Sequence, residues 1–143
     1  SKTTAMIYLR GLDNFVQGKD VNPEEDFNFV HVIYHNNKDV GKHLTFESEK
    51  WKPMIQKAMD EGKTSLKGWG NAIIVSPESN SFPYQTISYD LFKTAHEALS
   101  PAFNDDHETP ENFFDGLQDN YDGPRNSHLY RIIATVSAEP ESE

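Results

Sequence analysis

The hydrophobic pattern changes period several times along the chain. Residues 4–10, TAMIYLR, alternate and carry β-branched and aromatic side chains, which predicts a first strand. The segment 13–26 is polar, holds Gly18 and Pro23, and reads as a long loop. Residues 27–35, FNFVHVIYH, give the clearest strand signal. Phe27, Phe29, His31 and Ile33 share one face, and Val30, Val32 and Tyr34 share the other. Both faces are largely apolar, so this strand is expected at the centre of a sheet. NNKD predicts a turn into a further strand, VGKHLTFE, with Val40, Leu44 and Phe46 facing the core and His43, Thr45 and Glu47 facing away.

From Trp51 the period becomes helical, through Met54, Ile55, Ala58 and Met59, and Gly62 is a stop signal. Pro53 fits only a first turn, which places the helix start near Lys52. Residues 71–76 predict a strand, after a bulge or bend at Gly68-Trp69-Gly70. YQTISYDLF alternates and then merges into helical spacing at Leu91, Ala95 and Leu99, with Asp90 as a candidate cap. Thr109-Pro110-Glu111 is a helix-start signature, followed by a stripe of Phe114, Leu117 and Tyr121 that ends at Asp122-Gly123-Pro124. HLYRIIATVSA predicts a long closing strand, and the polar tail 139–143 is expected to fray. The fold class expected is α+β, mainly an antiparallel β sheet or sandwich with two or three short helices. The length of 143 residues suits a single domain, 1–143. Its polar loops, 13–26 and 100–126, are long enough to suggest a functional role.

Aromatic residues make up 12% of the chain, which argues against intrinsic disorder. There is no cysteine, so disulfides and thiolate metal sites are excluded. No segment resembles a signal peptide or a membrane span, so a cytoplasmic or virion location with no membrane partner is expected. The net charge of −10 disfavours direct nucleic-acid binding. That charge is uneven. Between Thr94 and Pro124 lie Glu97, Asp105, Asp106, Glu108, Glu111, Asp115, Asp119 and Asp122 with no Lys or Arg, whereas Lys38–Lys67 holds seven Lys against five acidic residues. The plain reading is a solvated acidic loop. The functional reading makes Asp105, Asp106, Glu108, Glu111, Asp115, Asp119 and Asp122 an interaction surface. Its partner would be a second copy, giving a homo-oligomer, or a protein with a basic surface. An acidic inhibitor that imitates nucleic-acid charge is one form of this.

Candidate chemistry is sparse. His31 and His35 stand two pleats apart on one strand, and no HExxH or EF-hand spacing occurs, so no metal and no cofactor is expected. GWGNA is not a phosphate loop, and no GxSxG elbow is present. His43-Leu44-Thr45 and His128-Leu129-Tyr130 resemble the paired His-x-Thr/Ser motifs of the 2H phosphoesterases. That resemblance implies His43 and His128 as general base and acid, with Thr45 holding the phosphate. Tyr130 departs from the pattern at the second hydroxyl position. The segments AMIYLRGLDNFVQG, LTFESEKWKPMIQKAMDEGK and HLYRIIATVSAEP together resemble the tube-forming Hcp and phage tail-tube proteins. This implies a non-enzymatic assembly protein, a tube or virion structural component of a phage or contractile system, built through heterologous contacts.

Overall fold

A computed structural model describes residues 7–76 and 82–135. The elements are β1 (Tyr8–Gly11), β2 (Val16–Gln17), α1 (Pro23–Asp26), β3 (Phe29–His35), α2 (Val40–Phe46), a π-helical turn (Glu47–Trp51), α3 (Lys52–Asp60), β4 (Gly68–Ser76), β5 (Thr86–Phe92), α4 (Ala95–Ala98), a 3₁₀ turn (Gln118–Asn120) and β6 (Asn126–Arg131). The expected α+β class with an antiparallel sheet is what forms, as one six-stranded sheet rather than a sandwich.

The sheet order is β1-β4-β5-β3-β6, with β2 also pairing with β4, and all pairs are antiparallel. β3 and β4 therefore run parallel with β5 between them, joined by the helical segment 40–60. Together with β6 this is the split βαββαβ arrangement of a ferredoxin-like fold. The second helix of that arrangement is reduced to α4 and the long segment leading to β6. β3 is central as the pattern predicts, flanked by β5 and β6.

The pleat sorts side chains between two faces. The helix-covered face buries Ile55, Leu66, Trp69 and Phe92, with Phe29, Trp51 and Met59 packed around them. The opposite face gathers Ala72, Ile74 and Ile87 with Val32, Tyr34, Phe82 and Tyr84. Gly68 and Gly70 sit in regular pairing with β5 rather than in a bulge. A side chain at Gly70 would overlap the Tyr89 phenol, so this glycine makes room for a neighbour's ring.

The largest departure from the sequence pattern is at residues 40–51. VGKHLTFE is not a strand. It forms α2, whose N-cap is Asp39, with its side chain accepting from the Lys42 amide at 3.0 Å. The helix then continues through the π turn into α3 without a break. Pro53 lies inside this helix instead of starting it. A proline in a helix interior lacks an N–H and clashes with the carbonyl four residues back. The π turn ahead of it widens the spiral, and the Lys52 amide reaches the Glu47 carbonyl five residues back. Asp90 lies in β5, and Thr94 caps the short helix that follows, its hydroxyl accepting from the Glu97 amide. The helix expected after Thr109 is a series of turns ending in the 3₁₀ turn. The closing strand ends at Arg131, and the tail 139–143 lies outside the described residues. Among the described residues no helix is long and apolar enough to cross a membrane.

Asp39 fastens the start of this helix in two ways. Besides capping, its amide donates to Asn120 Oδ1 at 3.0 Å and its carbonyl accepts from Asn120 Nδ2 at 2.9 Å. Asp39→Ala removes the cap but keeps the backbone pair. It is expected to lower stability by about 1 kcal/mol, read as a reduced urea midpoint with an unchanged slope. An unaltered midpoint would show that the cap contributes nothing.

Candidate functional site

Helical geometry brings His43 and Glu47, four residues apart, onto one face of the helix. That face is turned toward the sheet. His43 is 2% exposed and Glu47 4%, while Thr45 between them is exposed. Across from them stands His35, the last residue of β3, 5% exposed. The two imidazole rings lie 4.5 Å apart between centroids. One ligand-type atom from each of His35, His43 and Glu47 falls within 4.8 Å of the others.

Each of the three has a partner on its outer side. His35 Nε2 meets Ser88 Oγ at 3.0 Å, and His43 Nδ1 meets Tyr121 Oη at 3.0 Å. Asn71 Nδ2 donates to Glu47 Oε1 at 3.4 Å, and Asn71 is itself held by Asn14 at 3.3 Å. The remaining nitrogens, His35 Nδ1 and His43 Nε2, are buried without a hydrogen bond among the described residues. His43 Nε2 does lie 2.6 Å from Glu47 Oε1, a buried ion-pair contact.

Tyr121 is positioned by the segment 118–122 rather than by a helix. Asn37 and Tyr121 form an antiparallel bridge, the Lys38 amide donates to the Asn120 carbonyl at 2.7 Å, and the Asp122 amide donates to the Asn36 carbonyl at 2.9 Å. The predicted stripe of Phe114, Leu117 and Tyr121 does share one side, as the wall of a cavity of about 490 Å³. Ile33, Phe46, Trp51 and Trp69 supply further apolar lining, and Glu47, Asp90, His35, His43 and Arg125 supply the charged or titratable groups. The loop 100–126 therefore folds onto its own domain. Phe113 packs against Phe46 and Trp51, with ring centroids 5.3 and 6.5 Å away.

The cavity shifts its titratable groups in different directions. Burial drives the His35 imidazole down to about 3, aided by the neighbouring His43 and Arg125, so the ring stays neutral. Burial raises the Asp90 carboxyl to about 7, and the Glu47 charge adds to this while Arg125 opposes it. Tyr121 is pushed up to about 12 by burial and then by Glu47, so it remains a phenol.

The sequence-level candidates separate in space. His43 lies under the sheet, whereas His128 pairs with Val32 and stands on the other face beside Tyr34. With Thr45 exposed as well, the two His-x-Thr/Tyr motifs do not converge, and the phosphodiesterase arrangement of His43, Thr45 and His128 is not formed. The acidic residues Asp105, Asp106, Glu108, Glu111, Asp115, Asp119 and Asp122 are all exposed. His35, His43 and Glu47, which the sequence pattern did not group, are brought together with ligand-type atoms in reach of one another. Sequence reasoning missed this set because its His-x₃-Glu spacing has meaning only on a helix.

Asp90 gives a pH signature. Its folded value lies above the ordinary 3.8, so it favours the folded state at low pH. That contribution is lost as pH rises from about 4 through about 7. Asp90→Asn is therefore expected to gain stability relative to the parent chain across this range and level off above it, in urea titrations at stepped pH. A pH-independent difference between the two proteins would contradict the burial of this carboxyl.

No protein-family model matches the sequence, and no curated protein matches it significantly. Among solved structures, a protein described as anthrone oxidase-like matches with a TM-score of 0.55 at 11% identity. The match covers 84% of this chain and 52% of that one, so the chain spans about half its length. At this identity the likeness is one of fold. It overturns the resemblance to Hcp and phage tail-tube proteins, since the shared architecture is the helix-covered ferredoxin-like sheet described above.

Proposed function

We propose that the chain is an enzyme acting on a small, largely apolar substrate in this cavity, with His35, His43 and Glu47 holding a divalent transition-metal ion. The observation that carries the reading is the buried set itself, His35, His43 and Glu47, with ligand-type atoms within 4.8 Å of one another and His35 Nδ1 left without a hydrogen bond among the described residues. Buried polar groups are normally satisfied, and such exceptions call for a cause. On both histidines the opposite nitrogen is engaged, by Ser88 and by Tyr121. This is how outer-sphere partners fix the tautomer and aim of a metal-bound imidazole. Two imidazoles and one carboxylate suit a first-row transition ion better than magnesium or calcium, and three ligands leave positions open toward the cavity. His35, His43 and Glu47 would hold the ion, their ligand-type atoms lying within 4.8 Å of one another.

Bound there, the ion would supply a Lewis acid at the cavity wall. The chain's own groups do the rest. His35 stays neutral through burial, as a ligand must. Asp90, with its value moved to about 7, is the carboxyl suited to accept and return a substrate proton near neutrality. The fold neighbour's description as anthrone oxidase-like supports an oxidase as the reaction class, in which dioxygen from solution would take the two electrons removed from the substrate. A second reading rests on the 2.6 Å His43 Nε2–Glu47 Oε1 contact: a metal-free buried pair in which the two groups satisfy each other.

Calorimetric titration of chelator-stripped protein with zinc, manganese and iron(II) separates the two. One ion per chain is expected, with saturation at 100 times Kd raising stability by about 2.7 kcal/mol. His43→Ala and Glu47→Ala should each weaken binding roughly 100-fold or more, and Tyr121→Phe about tenfold. Absence of stoichiometric binding, or binding indifferent to these substitutions, would favour the metal-free pair.

A further inference from the structure

The wall of the cavity carries information about its ligand that the metal reading does not use. Phe46, Trp51, Trp69 and Phe114 present flat aromatic surfaces, and flat partners stack on such surfaces. Two donors in the same wall lack partners. Trp51 Nε1 is buried with no hydrogen bond among the described residues. Arg125 lines the cavity, and its guanidinium has no carboxylate within 4.0 Å among the described residues. Arg125 stands one residue before β6, just past the Tyr34–Asn126 pair, on the side of His35. Arg125 is exposed to solvent and also lines the cavity, and its charge is felt at His35, Asp90 and Tyr121.

The chain carries a net charge of −10. The general field repels anions, so a lone arginine at the cavity selects for a negative group there. The carboxyls in the cavity do not cancel it. Glu47 is taken up by His43 and Asn71, and Asp90 is shifted toward its neutral form. A guanidinium matches a carboxylate or an enolate-type oxygen by fork geometry and charge together.

We propose that the cavity binds a flat aromatic acid, its rings lying among Phe46, Trp51, Trp69 and Phe114 and its anionic oxygens received by Arg125. This rests on reading the cavity as the substrate site but not on the metal. The volume of about 490 Å³ falls in the range of small-ligand pockets and accommodates two or three fused or linked rings.

The chain's two tryptophans, Trp51 and Trp69, both line the cavity, so intrinsic fluorescence reports its occupancy. The test titrates chelator-stripped protein with biphenyl-4-carboxylate and, separately, with the uncharged 4-biphenylmethanol. Without a metal present, the carboxylate has no ion to bind, and the outcome is independent of the metal titration. The acid is expected to bind about tenfold more tightly than the alcohol at low salt, with the gap narrowing as salt is added. Arg125→Met should abolish the preference while leaving the alcohol's affinity unchanged, and Arg125→Lys should retain part of it. A thermal melt matching the parent checks that each variant is folded. Equal binding of acid and alcohol, a preference that survives Arg125→Met, or binding of neither probe would overturn the proposal. Metal binding with no acid preference would leave the proposed function standing and remove only this inference.

Discussion

Two histidines and a glutamate buried between a helix and a sheet are the constraint around which this molecule is arranged. Burying such groups without compensation costs several kcal/mol, and the fold answers on every side but one. Ser88, Tyr121 and Asn71 each engage a member of the set. On the inner side His43 Nε2 meets Glu47 at 2.6 Å, while His35 Nδ1 has no hydrogen bond among the described residues. A stable core does not need this arrangement, because apolar residues of similar size would pack there at lower cost. The proposed cation is the body that would draw His35, His43 and Glu47 together.

The supporting architecture follows from that requirement. A helix supplies two of the three groups from one face, and the end of the central strand supplies the third. The π turn begins at Glu47, so the irregularity that accommodates Pro53 also sets where this carboxylate leaves the helix. Asp39 and Asn120 tie the helix start to the segment carrying Tyr121. The long loop then lays Phe114, Leu117 and Tyr121 over the cavity, and its acidic residues face solvent. One segment thus divides its labour by side-chain type, closing the site with its apolar residues and solvating itself with its charged ones.

Much of the fold was legible from period alone. Phe29 to His35 announces a central strand because both of its faces are apolar, and the antiparallel α+β class follows from the scarcity of long helical stretches. The site was hidden for a related physical reason. In a plain amphipathic helix the inward positions near His43 and Glu47 would be apolar. Polar groups there broke the 3.6 period and left Val40, Leu44 and Phe46 to mimic a strand with Lys42 between them. Pro53 strengthened the error, since it looks like a helix start unless a π turn precedes it. His35 gave no local signal, being one histidine at the end of a strand, and Tyr121 reached the site through a loop whose path no periodicity records. The residues that break a local rule are here the ones with the functional assignment, as expected where function competes with folding.

The most direct measurement is anomalous diffraction from crystals of the stripped protein soaked in manganese or zinc. The account predicts one dominant peak bounded by His35, His43 and Glu47, at about 2.0–2.2 Å from each, with Ser88 and Tyr121 still in contact with the outer nitrogens. A map with no peak there, or with peaks confined to the exposed carboxylates of the 105–122 segment, would contradict it.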